Sequence, residues 1–270
     1  MKMPRLKSPI SSSRTKLSAD LALASRLADA AGAAIRPYFR AEFGLEMKAD
    51  ASPVTLADRA AEAAIRAILE VERPDDGIVG EEYGSTREGA TRVWVLDPID
   101  GTRSFVGGRP IFGTLIALVE DGVPVIGLID QPISSERWIG AIGQTTRFNG
   151  HPARTRRCAS LAQALQATTS PAAFSAEHLR AFERLIPVTR DTLYGGDCYN
   201  YGLVAIGQID LVVESGLKLH DFAALVPVVE GAGGIMCNWR GERLTSASDG
   251  HVIACGDASL LPEIVEYLNS

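Results

Sequence analysis

The sequence predicts a mixed α/β fold, with an α+β first half and an α/β second half that meet near residue 150. Three observations support this prediction. Two segments with helical spacing of apolar residues open the 270-residue chain. Short apolar runs typical of strands then dominate up to Gly140. Beyond Asn149-Gly150, a strong turn signal, strand-like and helix-like segments alternate.

The first helix is predicted to start after Ser18, which can cap the segment ADLALASRLADAAGAAIRPYFR. Leucines, alanines and Ile35 recur in it at helical spacing. Pro37 should bend this helix or mark its weak point, because proline lacks the backbone N–H that a helix interior needs. A short strand is expected near Leu45 to Lys48.

A second amphipathic helix follows, starting near Pro53 or Thr55, and Asp58 lies in its first turns. After it, Ile78 to Gly80 form a brief strand that ends on Glu81. Acidic side chains thus stand near the ends of both predicted elements.

The stretch WVLDPIDGTRSF holds the most informative strand. Val93 to Leu96 form a short, β-branched and aromatic run, which is typical of a buried strand and puts Asp97 at its end. Pro98 is expected to stop the strand, since it cannot donate to a ladder. Gly101 allows a tight backbone path, and Thr102 offers a cap for the helix that follows.

The remaining elements follow the same alternation. Strands are predicted between Thr114 and Gly140, with a turn at Asp121-Gly122. Helices are expected around Ser175 to Leu185, after the segment IPVTR, and as a long helix from Asp221. The strands of the second half are read in ALQATTS, IPVTR, IDLVVES and HVIACGD. The glycines of EGAGG follow a helix instead of a strand, so they indicate a helix end and not a dinucleotide loop.

Composition excludes several classes of function. The net charge of −6 offers no electrostatic case for binding nucleic acid or an anionic membrane. No apolar run approaches the length of about 20 residues that a membrane span requires. The four cysteines form no C-x-x-C pair and suit a reducing cytoplasm. The basic, serine-rich start lacks the apolar core of a secretory signal, so residues 1–16 are expected to be a disordered tail, with a transit-like targeting segment as the weaker alternative.

Acidic residues cluster at the ends of the predicted elements. Asp97 and Asp100 flank Pro-Ile at the end of a buried strand, where carboxylates are costly to place without a positive partner. Either residue alone could cap a helix, but two of them make cation binding the better interpretation. Oxygen ligands without clustered His or Cys favour magnesium or manganese over zinc. Further acidic residues at element ends are Glu81, Glu82, Asp221 and Asp58.

Three motifs together resemble one known family, the magnesium-dependent, lithium-sensitive inositol monophosphatases. They are GEE from Gly80, DPIDGT from Asp97 and HDFAALVPVVEGAGG from His220. Their order and separation match the family over nearly all of the chain after about residue 16. One departure is His220, where the family usually has tryptophan; it leaves the ligand Asp221 intact but changes the wall beside the substrate.

Within that family, the C-terminal half and DGTRSFVGGRP look like the branch that dephosphorylates histidinol phosphate in histidine synthesis. The resemblance implies a layered αβαβα sandwich of the inositol monophosphatase and fructose-1,6-bisphosphatase type, commonly a homodimer. It also implies Mg²⁺ or Mn²⁺ as cofactor, two or three ions per site, and a small phosphate monoester as substrate. The chain then divides into a tail (1–16), a metal-binding α+β domain (17–150) and an α/β domain (151–270).

The resemblance also implies roles for single positions. Asp58 and Thr102 would orient the attacking water, with Glu81 beside them. The implied metal ligands are Glu81, Asp97, the carbonyl of Ile99, Asp100 and Asp221. The implied phosphate- and substrate-binding residues are Asp100, Gly101, Thr102, Arg103, Asp197, Glu214 and Asp221.

Two other functions remain open at this stage. One is a broader inositol-phosphate or sugar-phosphate monoesterase. The other is an inactive, metal-bound scaffold, against which the presence of every acid in the three motifs argues. Cys198 is interpreted as a small packing residue, because it lacks the His and Arg-rich loop of a thiol phosphatase.

Overall fold

The helices come from both halves of the chain. The computed structural model describes residues 9–41, 46–47 and 53–270. In chain order its α-helices are α1 (Pro9–Ile35), α2 (Leu56–Glu72), α3 (Thr102–Val106), α4 (Ala176–Glu183), α5 (Asp197–Ala205), α6 (Leu219–Phe222), α7 (Leu225–Gly231) and α8 (Leu261–Asn269). None of the described helices is long and apolar enough to cross a membrane.

A large sheet forms from the first half. A separate two-stranded pair, β1 (Glu46–Met47) and β2 (Pro53–Val54), precedes it; Leu45 and Lys48, at the ends of the predicted strand, lie outside the described residues. The strands of the large sheet are β3 (Gly77–Gly80), β4 (Gly84–Thr86), β5 (Arg92–Asp100), β6 (Gly113–Glu120), β7 (Val123–Gln131), β8 (Glu136–Ala141), β9 (Arg147–Phe148) and β10 (His151–Pro152). Their spatial order is β10-β9-β8-β7-β6-β5-β3-β4, with β3 and β5 parallel and the other pairs antiparallel.

A smaller sheet forms from the second half. Its strands are β11 (Leu165–Thr168), β12 (Asp191–Tyr194), β13 (Leu211–Glu214), β14 (Ile235–Cys237) and β15 (Val252–Cys255). Their spatial order is β12-β11-β13-β15-β14, and β11 runs parallel to both of its neighbours. The chain therefore passes from the large sheet to the smaller one between residues 152 and 165, close to the predicted division at 150. That the two halves are separate domains stays a prediction.

The side chains of both sheets alternate between layers, as the two-residue period of a strand requires. Trp94 packs into the core under α1 and α2, while Val95 packs into the core formed with α5 and α7. Val212 faces that same middle layer, and Val213 faces the outer layer of α4 and α8. The order of layers is helix, sheet, helix, sheet, helix, which confirms the αβαβα sandwich.

The first helix begins earlier than predicted, at Pro9 and not after Ser18. Proline is tolerated in the first turn, where its missing N–H would have no helical partner. The helix α1 thus includes residues 9–16 of the predicted tail, and residues 1–8 lie outside the described part. The helix ends at Ile35, and Pro37 lies in the 3-10 turn that follows, which confirms it as the weak point.

The strand that carries the aspartates runs further than predicted. β5 continues through Pro98 to Asp100, with a register shift against β6 between Asp97 and Asp100. Such a bulge takes residues out of the ladder, so the missing N–H of proline costs no hydrogen bond there. Thr102 does not cap α3 as predicted: it is the first helical residue, and Gly101 occupies the cap position.

Four elements of the second half differ from the prediction. IPVTR is not a strand; Ile186–Val188 form a 3-10 turn around a proline, and the strand β12 comes later. The predicted long helix from Asp221 is two short helices, because Pro227 cannot continue the hydrogen bonding of α6 and fits only an early turn of α7. The strand β14 and the helix α8 were not predicted.

Candidate active site

Three parts of the fold bring the predicted acidic ligands together. The parallel pairing of β3 with β5 sets Gly80 opposite Leu96, so the next residues, Glu81 and Asp97, emerge side by side. The backbone N–H of Glu81 donates to the carbonyl of Leu96 at 3.2 Å. The third part is the start of α6, where Asp221 accepts a hydrogen bond from the backbone N–H of the residue three positions before it, at 2.6 Å.

The carboxylates form one compact cluster. Asp97, Asp100 and Asp221 each offer an oxygen, and these oxygens lie within 4.8 Å of one another. Glu81, Asp97 and a ring nitrogen of His220 form a second group within the same limit. His220 therefore faces the acids, and its Nε2 lies 3.5 Å from an oxygen of Asp221.

The electrostatics of the cluster are unfavourable for the protein alone. Asp97 is 1% exposed, and its Oδ1 makes no hydrogen bond with any described residue. Burial, and after it the neighbouring carboxylates, raise the pKa of Asp97 well above its ordinary value, and the same causes raise the pKa of Asp100. A buried, unpaired carboxylate oxygen among like charges is what a hard divalent cation would satisfy, so the residues fit Mg²⁺.

Asp58 and Thr102 lie beside this cluster. Asp58 Oδ2 accepts the backbone N–H of Thr55 at 2.8 Å and its hydroxyl at 2.5 Å, which closes a capping box at the start of α2. The other oxygen, Oδ1, lies 3.5 Å from the hydroxyl of Thr102. That hydroxyl also donates to the carbonyl of Ile99 at 3.1 Å. Burial raises the pKa of Asp58, and the charge of nearby Glu81 adds to this.

The turn at Gly101 is locked to the start of α5. Gly101 has a φ of +86°, and a Cβ built on it would lie 2.7 Å from Asp197 Oδ2. That oxygen accepts a hydrogen bond from the hydroxyl of Ser104 at 3.1 Å. In turn, the backbone N–H of Cys198 donates to Asp100 Oδ2 at 2.6 Å. The interlock holds the start of α5, with Asp197, against Asp100.

Glu214 is buried at the end of β13 and fully engaged in hydrogen bonds. Its Oε1 accepts the backbone N–H of Thr169 at 2.8 Å and the hydroxyl of the same residue. Its Oε2 accepts the phenol of Tyr201 at 3.0 Å. Burial raises the pKa of Glu214 to about 7. Glu214 therefore is not solvated at the end of the strand but buried and hydrogen-bonded.

Four of the predicted site residues line a cavity of about 170 Å³. Asp100 and Asp221 line it on the side of the carboxylate cluster, and Asp197 and Glu214 also line it. Its apolar lining is Ala173, Phe174, Leu217 and Leu225. Arg103 is exposed on α3 and does not line the cavity. Burial raises the pKa of Asp197, and the charge of Arg103 offsets a part of this rise.

Two partners of Glu214 were missed from the sequence. Tyr201 lies four residues after Asp197 on α5, and this spacing on one helix face was an available signal. Thr169 follows β11 just as Glu214 ends β13, and the parallel pairing of those strands aligns them. No pattern in the sequence alone states which strands pair, so Thr169 could be found only in the structure.

Comparisons with known proteins agree with these features. The model of the inositol monophosphatase family matches residues 16–270. The chloroplastic bifunctional phosphatase IMPL2 of Arabidopsis thaliana is 48% identical over 97% of this chain and 78% of its own length. A histidinol-phosphatase of Mycobacterium tuberculosis is 40% identical over 80% of this chain and 85% of its own. A solved structure of an inositol monophosphatase from Zymomonas mobilis is 57% identical, with a TM-score of 0.87 over 94% of this chain and 98% of that one.

Proposed function

Because this chain belongs to the inositol monophosphatase family, we propose that it is a metal-dependent phosphatase that converts histidinol phosphate to histidinol and phosphate. The observation that carries the choice of substrate is the cavity, in which buried Glu214 and half-buried Asp197 lie with the metal-side residues Asp100 and Asp221. The histidinol-phosphatase relative supports the same choice.

The proposed metal ligands are the carboxylates of the cluster together with one backbone carbonyl. They are Glu81, Asp97, Ile99, Asp100 and Asp221. When bound, two or three Mg²⁺ ions would shield the charge of the phosphate, lower the pKa of a water molecule and stabilise the leaving alkoxide. The buried oxygen Oδ1 of Asp97, which has no hydrogen bond within the described structure, is the feature that most directly supports such a cation.

Asp58 and Thr102 are proposed to orient the attacking water. The capping box fixes Oδ2 of Asp58, and this leaves Oδ1 directed at the Thr102 hydroxyl. The start of α2 therefore sets the position of the carboxylate, and the start of α3 sets the position of the hydroxyl beside it. The raised pKa of Asp58 suits a group that receives a proton from water.

The carboxylates of the cavity match the positively charged groups of the proposed substrate. Histidinol phosphate carries an ammonium and an imidazole, so it needs acceptors at the end remote from the phosphate. Asp197 and Glu214 supply carboxylates there, and a charge-assisted hydrogen bond contributes about 1.5–3 kcal/mol. Phe174 and Leu217 offer apolar surface for the ring and the carbon chain.

A second candidate is an inositol-phosphate or sugar-phosphate monoesterase. The observation in its favour is the 57% identity to an inositol monophosphatase, together with the bifunctional name of the Arabidopsis relative. The inactive-scaffold alternative is the weakest, since every predicted acidic ligand is present and the oxygens of Asp97, Asp100 and Asp221 are within 4.8 Å. A homodimer and a cytoplasmic location are also proposed, from the family resemblance.

The deciding experiment is phosphate release from histidinol phosphate and from inositol 1-phosphate, each with Mg²⁺. We expect kcat/KM to be at least about tenfold higher for histidinol phosphate, since one charge-assisted bond accounts for that factor. Equal or reversed values would refute the proposed substrate and favour the broader phosphatase. No phosphate release from either, with metal bound, would favour the scaffold.

A further inference from the structure

Glu62 on α2 is a glutamate that is 0% exposed and does not line the cavity. Its Oε2 accepts the backbone N–H of Glu82 at 2.7 Å. Its Oε1 accepts the backbone N–H of Tyr83 at 3.2 Å. One carboxylate therefore binds two successive peptide groups of the turn between β3 and β4.

Arg66 completes this arrangement from the next turn of the same helix. Its Nε donates to Glu62 Oε1 at 2.7 Å, and its guanidinium also donates to the carbonyl of Gly84. The charge of Glu62 is thus balanced inside the protein, at the cost of fixing both side chains. Together the pair contacts Glu82 and Tyr83 in the turn and Gly84 directly after it.

This turn carries Glu81, the predicted metal ligand. The N–H of Glu81 is held by the carbonyl of Leu96 in β5, and the two peptides after it are held by Glu62. Gly80 permits the close approach, since a Cβ at that position would lie 1.9 Å from Glu62 Oε1. The backbone on both sides of Glu81 is therefore fixed by contacts from two different layers.

We propose that Glu62 is a positioning residue that directs Glu81 toward Asp97 and ties its location to that of Asp58. Asp58 and Glu62 are four residues apart and so lie on one face of α2. A single rigid helix thereby sets the water-orienting carboxylate and, through the turn, a metal-side carboxylate. The inference rests on the proposed function in one respect, that Glu81 is a metal ligand.

The test is Mg²⁺ binding to metal-free protein, measured by calorimetry, with Mn²⁺ electron paramagnetic resonance as a second readout. Glu62→Gln keeps the volume but has one acceptor oxygen, so its NH₂ group must face one of the N–H donors. We expect the metal Kd to rise about tenfold, while kcat at saturating Mg²⁺ stays within about threefold of wild type. An unchanged Kd would overturn the proposal.

Asp20→Asn is the matched control. Asp20 is 1% exposed and accepts charge-assisted hydrogen bonds from Arg73 and from Arg92, both at 2.8 Å, at the opposite end of β5 from Asp97. Its loss should lower the melting temperature and leave the metal Kd unchanged. If this control weakens metal binding as much as Glu62→Gln does, the effect is general destabilisation and the proposal is wrong.

Arg66→Lys gives a milder variant in case Glu62→Gln does not fold. Lysine keeps the positive charge but lacks the planar guanidinium that donates to both Glu62 and the carbonyl of Gly84. We therefore expect a two- to threefold rise in the metal Kd. An unchanged Kd in this variant would count against the proposal. Because metal binding is measured without substrate, wild type that binds Mg²⁺ but does not hydrolyse histidinol phosphate would refute only the proposed function.

Discussion

Asp97→Asn should lower activity and raise the stability of the metal-free protein. The oxygen Oδ1 of Asp97 is buried and makes no hydrogen bond within the described structure, while other carboxylates lie close by. Without metal, the charge of Asp97 therefore opposes folding. Asparagine keeps the shape and removes the charge, so it creates no cavity and relieves the repulsion.

The magnitude follows from the geometry of the cluster. At the outer limit of 4.8 Å, two unit charges repel by about 3.5 kcal/mol with an effective dielectric constant of about 20. The raised pKa of Asp97 means that partial protonation already relieves some of this repulsion. We therefore expect the unfolding free energy of the metal-free variant to rise by about 1–3 kcal/mol, or the melting temperature by roughly 3–10 °C.

The assay is thermal unfolding with and without Mg²⁺, alongside turnover. Magnesium should raise the melting temperature of wild type, because it binds only the folded state, and should raise that of Asp97→Asn much less. Turnover at saturating Mg²⁺ should fall below about a tenth of wild type, which corresponds to more than 1.4 kcal/mol. Asp121→Asn, in an exposed turn with a φ of 48°, should change none of these values.

Two results would refute this reasoning. A metal-free Asp97→Asn protein that melts at or below the wild-type temperature would show that repulsion in the cluster does not oppose folding. A variant that keeps more than about a tenth of the wild-type rate would show that Asp97 is not an essential ligand.

Three further predictions concern the substrate side and the cations. Glu214→Gln should lower kcat/KM for histidinol phosphate about ten- to a hundredfold and change a neutral alcohol phosphate much less; equal losses would make Glu214 a general support of the site. Because burial raises the pKa of Glu214 to about 7, its ionisation opposes folding as pH rises from its ordinary 4.5 through 7. The stability of Glu214→Gln relative to wild type should therefore increase between pH 5 and pH 8 in thermal unfolding, and a constant difference would contradict this. Lithium should inhibit at millimolar levels, and a flat rate at low Mg²⁺ up to high lithium would contradict that expectation.

The sequence by itself determined the family and those elements whose signals are local. Thr55 and Asp58 start α2 as expected, because a capping box is a local interaction over three residues. Asp121-Gly122 and Asn149-Gly150 form the predicted turns, and all four residues have positive φ. Asp-Gly and Asn-Gly pairs favour this conformation through their own two residues, so the signal is local. The three motifs were sufficient to identify the family, since they state residue types in a fixed order.

Only the tertiary structure decided how these elements meet. The bulge that carries β5 through Pro98 depends on pairing with β6, and the end of α6 depends on the proline of α7. The pKa of Asp97 is raised by burial and then by the charges of Glu81, Asp100 and Asp221, and the last of these lies more than a hundred residues away in the sequence. Glu62 shows the same limit: it lies in an ordinary helical pattern, and its hydrogen bonds to the turn after Glu81 exist only because α2 packs against β3 and β5. Contacts between residues distant in the chain are set by the packing of layers, which no local pattern records.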